Sequence, residues 1–111
     1  MGRPKNVVVE IPTTITGMEG APELALRDLA DRLVQHGSEQ LALAPGTEPG
    51  GEMAIVWTGL PANVAAALER QLRANMPPFP DAAMRVVRRS HADGSESVRM
   101  ALRIVLPEVV N

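Results

Sequence analysis

The side chains best suited to chemistry lie in one short stretch, "RRSHADGSESVR" (88–99). It combines hydroxyl, imidazole and carboxylate groups, as hydrolytic triads and many metal sites do. Its candidate residues are Ser90, His91, Asp93, Ser95 and Glu96. Ser90 and His91 are neighbours on a predicted strand, so their side chains point to opposite faces. The stretch has no G-x-S-x-G nucleophile elbow, and we predict no catalytic residue in it.

The same stretch has the pattern of a β-hairpin turn. Asp93-Gly94 stands between two alternating runs, which is a strong indication of a tight turn. A three-residue loop over 92–94, with glycine last, aligns the apolar residues of both arms. His91, Asp93 and Glu96 would be scattered over the loop tip as metal ligands. We therefore predict neither a metal site nor a cofactor.

The hairpin register also sorts the charged residues. Met84 and Val86 on the first arm, and Val98 and Met100 on the second, are predicted to face the core. The opposite face then carries Arg85, Arg89, Arg99 and Arg103. Guanidinium groups bind carboxylates and phosphates in a bidentate manner, so this cluster is a candidate site for an acidic protein partner or a small anionic ligand. The alternative is a solvated surface whose like charges are spread and hydrated.

Apolar periodicity divides the rest of the chain into strands and helices. A β-branched run predicts a first strand over 6–16. Leu26, Leu29 and Leu33 repeat at helical spacing and predict a helix over 22–37, with Gly37 as its C-terminal cap. The remaining predicted elements are strands over 38–45, 52–59, 82–90 and 96–107, and a helix over 61–75.

The first six elements follow the order of a ferredoxin-like split βαβ unit. The length of 111 residues fits one domain. We predict a single α+β domain over 1–111: a ferredoxin-like βαββαβ fold with an added C-terminal strand beside the fourth. It has one antiparallel sheet with two helices on one face.

The sheet face away from the helices is predicted to be more apolar than a free surface. Val8, Val56, Val87 and Val105 lie on it in this register. A one-layer sheet must cover or solvate its second face, and a second copy of the chain can cover it by two-fold symmetry. We therefore predict a homo-oligomer, with a surface that merely tolerates apolar residues as the alternative.

One stretch resembles a family that binds RNA. "IVWTGLPANVAAAL" (55–68) is similar to the start of an RNA-recognition-motif domain, where a strand runs into Leu-Pro and a helix. The second motif of that family requires glycine and aromatic residues on a later strand, and "SVRMALRI" (97–104) has neither. Base stacking needs such exposed rings, so we do not expect nucleic acid as a partner.

A second stretch, "ITGMEGAPELALRDLADRLVQHGSEQLAL" (15–43), resembles the opening of an ACT-type regulatory domain. "TGMEGAPEL" corresponds to the loop of that family, and "HGSEQLAL" to its second strand. The resemblance implies a ferredoxin-like fold, side-by-side pairing and small effectors bound near Gly17, Met18, Glu19 and Gly20. Glu23 departs from the family, which has a glycine after the proline, and the last strand is extra. The layout also resembles small effector-associated adaptor domains of bacteria.

Composition excludes several classes of function. The chain has no cysteine, which excludes disulfides, thiolate metal sites and cysteine nucleophiles. Its formal net charge of −2 predicts no bulk attraction to nucleic acid or anionic membranes. The apolar run near the N-terminus is too short for a signal peptide or a membrane span, so we expect a cytoplasmic protein without membrane contact.

These observations favour a non-enzymatic protein-interaction or assembly module that acts through the arginine-bearing sheet face. Two other classes remain open. The first is a small-ligand-binding regulatory domain of the ACT type that uses the loop at 17–20. The second is an enzyme of the dimeric α+β barrel kind, whose site would lie between the sheet and the helices.

Overall fold

A computed structural model describes residues 6–43, 51–75 and 82–104, which form four strands and two helices. The four strands form one sheet in the order β1-β2-β4-β3. The expected α+β class with two helices is confirmed. In chain order the elements are β1 (Val7–Pro12), α1 (Glu23–Leu43), β2 (Glu52–Leu60), α2 (Ala62–Ala74), β3 (Ala82–Ser90) and β4 (Glu96–Ile104).

The sheet is mixed, so the prediction of a ferredoxin-like, wholly antiparallel sheet is wrong. β1 and β2 are adjacent and parallel. β4 pairs antiparallel with β2 on one side and with β3 on the other. In the unit β2-α2-β3, β4 therefore lies between the two parallel strands, whereas in β1-α1-β2 the two parallel strands are adjacent. The last strand does lie beside the strand that precedes it, but it is an interior strand of the sheet.

The difference in topology begins at the end of the first helix. The strand predicted over 38–45 is not formed, because α1 continues without a break through Leu43, and residues 44–45 lie outside the described residues. "HGSEQLAL", the second strand of the ACT resemblance, is therefore helical. Among the described residues, α1 is therefore the one element between β1 and its neighbour β2.

Gly37 does not cap α1 but lies buried within it, facing β2. A Cβ atom on Gly37 would lie 2.5 Å from Cζ2 of Trp57. The Trp57 indole Nε1 donates a hydrogen bond to the main-chain oxygen of Leu33 at 3.0 Å. Gly37 is therefore a packing residue, because its missing side chain lets the indole reach the helix backbone.

Both helices pack on one face of the sheet, as predicted. Trp57 of β2, Leu68 of α2 and Val98 of β4 are each 0% exposed at the centre of this layer. Leu26, Ala30 and Leu33 of α1 join them in a single apolar cluster. Within the described residues, neither helix combines the length and the apolar character needed to cross a membrane.

The first strand is shorter than the predicted range of 6–16, since β1 ends at Pro12. The next residue, Thr13, donates its backbone N–H to the Thr58 oxygen at 3.0 Å. Gly59 follows with φ of +74°, where the register between β2 and β4 shifts. A Cβ on Gly59 would lie 2.6 Å from the Thr13 carbonyl oxygen. This close approach explains why the bulge requires glycine.

Helix α2 also reaches the edge strand β3. Arg73, in the last turn of α2, donates from Nη2 to the Val86 main-chain oxygen at 3.0 Å. β3 pairs with β4 on one side only, and its other side has no partner strand among the described residues. The Arg73 side chain therefore satisfies a carbonyl on an edge strand.

Candidate functional site

β3 and β4 are joined by the turn that the sequence predicts. The His91 N–H donates to the Ser95 oxygen at 2.9 Å, and the Gly94 N–H donates to the His91 oxygen at 3.1 Å. These bonds enclose the predicted loop over 92–94. Gly94 has φ of +87°, which glycine adopts without steric cost. The loop is confirmed, and it sets the register of the two arms.

The carboxylates of the hairpin have local partners. Asp93 accepts hydrogen bonds from the Ser95 hydroxyl at 2.7 Å and from the Ser95 backbone N–H at 2.9 Å. These two hydrogen bonds hold the pKa of Asp93 below its ordinary value, and the bond from the Ser95 hydroxyl is the larger cause. Glu96 forms an ion pair with Arg88, with 3.2 Å between Oε1 and Nε. These contacts support the hairpin itself.

His91 contacts a serine that the sequence analysis did not single out. Its Nε2 lies 2.9 Å from Oγ of Ser97, a residue 8% exposed. Ser90 pairs with Glu96, one position along, so it belongs to the opposite face. A serine–histidine pair acts as nucleophile and base when a third group orients the imidazole. Asp93 instead accepts its hydrogen bonds from Ser95, so the His91–Ser97 contact is explained as the satisfaction of a buried hydroxyl.

The register aligns the four predicted arginines on the open face, which is the sheet face away from the helices. Arg85 pairs with Ala101, and Val87 with Arg99, so successive rows carry an arginine on alternate strands. All four arginines are exposed. We call this set the arginine row. In order along the strands it consists of Arg103, Arg85, Arg99 and Arg89.

A glutamate on β2 forms ion pairs with alternate members of the arginine row. Glu52 Oε1 lies 3.2 Å from Nη2 of Arg99, and Glu52 Oε2 lies 3.9 Å from Nη2 of Arg103. Arg85 and Arg89 form no ion pair with a carboxylate among the described residues. Sequence reasoning missed Glu52, because its position depends on β4 lying next to β2.

The arginine row borders an open groove of about 410 Å³ at the end of the sheet where β2 begins. Its lining includes three guanidinium groups and one carboxylate. Ala101 lies on β4 between Arg99 and Arg103. The groove is therefore electropositive and has a small side chain at its floor. Its lining residues are Glu52, Met84, Arg85, Arg99, Ala101 and Arg103.

The open face also contains the apolar residues expected there. Val8 on the edge strand β1 is 53% exposed, while Val56 and Val87 are partly exposed. Ala54 pairs with Val8 and is 1% exposed, and Arg99 separates Val56 from Val87. Val105 was predicted to join this patch, and it lies outside the described residues.

The effector loop implied by the ACT resemblance lies elsewhere in the fold. The Met18 oxygen accepts hydrogen bonds from the Ala21 N–H at 3.1 Å and from Asn63 Nδ2 at 2.7 Å, and Gly20 has φ of +69°. Because β1 and β2 are parallel, this loop lies where β2 ends, whereas Glu52 lies where β2 begins. The structure therefore does not bring the arginine row together with Gly17, Met18, Glu19 and Gly20.

The arrangement of the open face is suited to binding anions. Guanidinium groups on a rigid sheet donate paired hydrogen bonds to carboxylate or phosphate oxygens. In the described part of the chain, no three His, Asp or Glu side chains are grouped so as to hold a metal ion. Comparisons of this chain with protein-family models, with curated proteins and with solved structures found no match.

Proposed function

We propose that this protein is a non-enzymatic interaction module that binds a protein partner through its open sheet face. The observation that carries the proposal is the alignment of four exposed arginines on one face of adjacent strands. Helices cover the other face of the sheet, so among the described residues the open face is the sheet surface left accessible.

The charge arrangement supports a binding role. Like charges on neighbouring rows of a sheet repel one another and do not add stability to the free chain. Glu52 offsets this repulsion at Arg99 and Arg103, but Arg85 and Arg89 have no such ion pair among the described residues. A partner with carboxylates would supply the missing counter-charges, and charge-assisted bonds to arginine are stronger than neutral ones.

The packing between the sheet and the helices disfavours the enzyme alternative. An enzyme of the dimeric α+β barrel kind would need a polar cleft in that space. Here it is filled by apolar side chains, among which Ile55 is 1% exposed and Val64 and Leu68 are 0% exposed. The described residues therefore leave no room for a polar cleft at that position.

A capture experiment with matched variants tests the proposal. The immobilised wild-type chain, the double variant Arg85→Gln/Arg89→Gln and the control Arg27→Gln/Arg32→Gln are exposed to the same lysate. The control makes the same change of net charge on exposed positions of α1. We expect a protein retained by the wild type and the control but lost from the open-face variant. Equal capture by all three would contradict the proposal.

Folding of the open-face variant is checked separately. Surface substitutions away from caps, cores and buried networks change stability by about 0.5 kcal/mol or less. We therefore expect the Arg85→Gln/Arg89→Gln variant to melt close to the wild type by circular dichroism. Unfolding of this variant would assign the two arginines to the fold instead of to recognition.

Self-association is the second form that the partner can take. The exposed Val8 and the partly exposed Val56, on the β1–β2 side of the open face away from Arg85 and Arg89, supply apolar surface for a second copy of the chain. Light scattering at about 50 µM detects complexes of ordinary micromolar affinity. A mass of at least two chains is the expected result. The mass of a single chain at this concentration would contradict the homo-oligomer.

A further inference from the structure

The spacing of the arginine row carries information about what it binds. Each row of the β3–β4 register lies two residues from the next row on the same face. Two residues of a strand rise by about 7 Å, so the Cα positions of the four arginines follow one another at about this interval over about 20 Å along the strands. Successive members come from alternate strands, and the row runs parallel to the strand direction.

An extended peptide has the same repeat. Its alternate side chains point to one side and recur about every 7 Å. We propose that the open face binds an extended acidic segment of a partner protein, with Asp or Glu at every second residue and its axis along β3 and β4. This inference rests on the proposed function and specifies the kind of partner.

The residues beside the arginines leave space for such a segment. Ala101 lies opposite Arg85, and Val87 lies opposite Arg99, so each of these rows holds one long and one short side chain. Both short residues are partly exposed. The short residues alternate between β4 and β3, so the backbone of an extended segment can approach the sheet beside each arginine.

Glu52 makes alternate members of the row unequal, because it lies near Arg103 and Arg99 but not near Arg85 and Arg89. It already accepts a hydrogen bond from Arg99 at 3.2 Å and lies within ion-pair distance of Arg103. An incoming carboxylate at those two positions must compete with Glu52, whereas one at Arg85 or Arg89 meets no such competitor among the described residues. Removal of the Glu52 charge should therefore strengthen binding of the segment, while loss of Arg85 and Arg89 should weaken it.

The test compares two labelled peptides of equal composition and charge by fluorescence anisotropy. In one, glutamate alternates with serine, with as many glutamates as the row has arginines. In the other, the same glutamates form a single block. At low salt, where screening is weak, we expect the alternating peptide to bind at least about fivefold more tightly, which corresponds to about 1 kcal/mol. Equal affinities would show attraction to net charge alone and would overturn the inference.

Variants locate the effect on the open face. We expect Arg85→Gln/Arg89→Gln to abolish the preference for the alternating peptide, and Glu52→Gln to raise its affinity several-fold. The control Arg27→Gln/Arg32→Gln should leave the preference for the alternating peptide and its affinity unchanged. An equal loss in the control, or tighter binding of a single-stranded RNA of the same charge, would overturn the inference. Face-dependent protein capture without a peptide preference would leave the proposed function standing and reject only the spacing.

Discussion

Replacement of Gly37 by alanine tests the packing that sets the topology. In an ordinary helix interior this change is favourable by about 1 kcal/mol, because glycine is a poor helix former. Here the new Cβ would lie 2.5 Å from Trp57 Cζ2, whereas ordinary van der Waals contacts begin near 3.4 Å. The indole would have to recede by about 1 Å, and Trp57 has no exposed surface into which it can turn.

The expected cost follows from two losses. Overpacking of a well-filled core costs about 1–3 kcal/mol. Displacement of the indole also weakens its hydrogen bond to the Leu33 oxygen, which contributes about 1 kcal/mol. After the gain in helix propensity, we expect Gly37→Ala to lower the free energy of unfolding by about 2 kcal/mol. For a chain of this length the Tm should fall by roughly 10 °C.

The assay uses a probe that the chain already contains. Trp57 is its single tryptophan, so emission during urea unfolding reports directly on the displaced indole. Ser38→Ala, at the neighbouring exposed position of α1, is the matched control and should be neutral or slightly stabilising. In a Trp57→Phe background, followed by circular dichroism, the cost of Gly37→Ala should shrink, because phenylalanine lacks the atom that clashes.

Two results would contradict this role of Gly37. If Gly37→Ala is as stable as the wild type, or more stable, with unchanged emission, then Gly37 does not hold α1 against β2. A cost that persists in full in the Trp57→Phe background would also refute it, because the two positions would then be energetically independent.

Two further predictions concern the hairpin turn and the β-bulge. Ser95→Ala should raise the pKa of Asp93 towards its ordinary value, measured by an NMR titration of the carboxyl group, since the Ser95 hydroxyl is the main cause of the lowered pKa. The stability that the ionised Asp93 contributes to the folded chain is present above the ordinary pKa of Asp and is lost as the pH falls through the lowered pKa of Asp93. An unchanged pKa of Asp93 in Ser95→Ala would contradict the turn geometry. Gly59→Ala should destabilise the chain by about 2 kcal/mol in urea, through its positive φ and its contact with Thr13, and a neutral effect would contradict the bulge.

Local patterns predicted the hairpin and its face correctly. Asp93-Gly94 and the alternation on both arms depend only on residues close in sequence, and they were sufficient to place the four arginines together. The same applies to α2, where Val64, Leu68 and Leu72 form the buried stripe.

The strand order could not be predicted in this way. Gly37 has the local pattern of a helix end, and its actual role depends on Trp57, which lies far away in sequence. Once residues 38–43 are helical, β1 pairs with β2 and β4 becomes interior. The positions of Glu52 and Ser97 follow from that order, so neither contact could be inferred from sequence spacing.

The contact between Arg73 and the Val86 oxygen has a consequence for aggregation through the edges of the sheet. Among the described residues the sheet ends at β1 and β3, so an endless fibre built from continuous sheets would need every molecule to pair through its β3 edge as well as its β1 edge. On β3, Arg73 already occupies a carbonyl that such a neighbour would use, and exposed edges blocked in this way resist growth by strand addition. Pairing between two β1 edges is isologous and closes after two molecules. The sheet therefore resists open-ended polymerisation while it remains compatible with a finite pair.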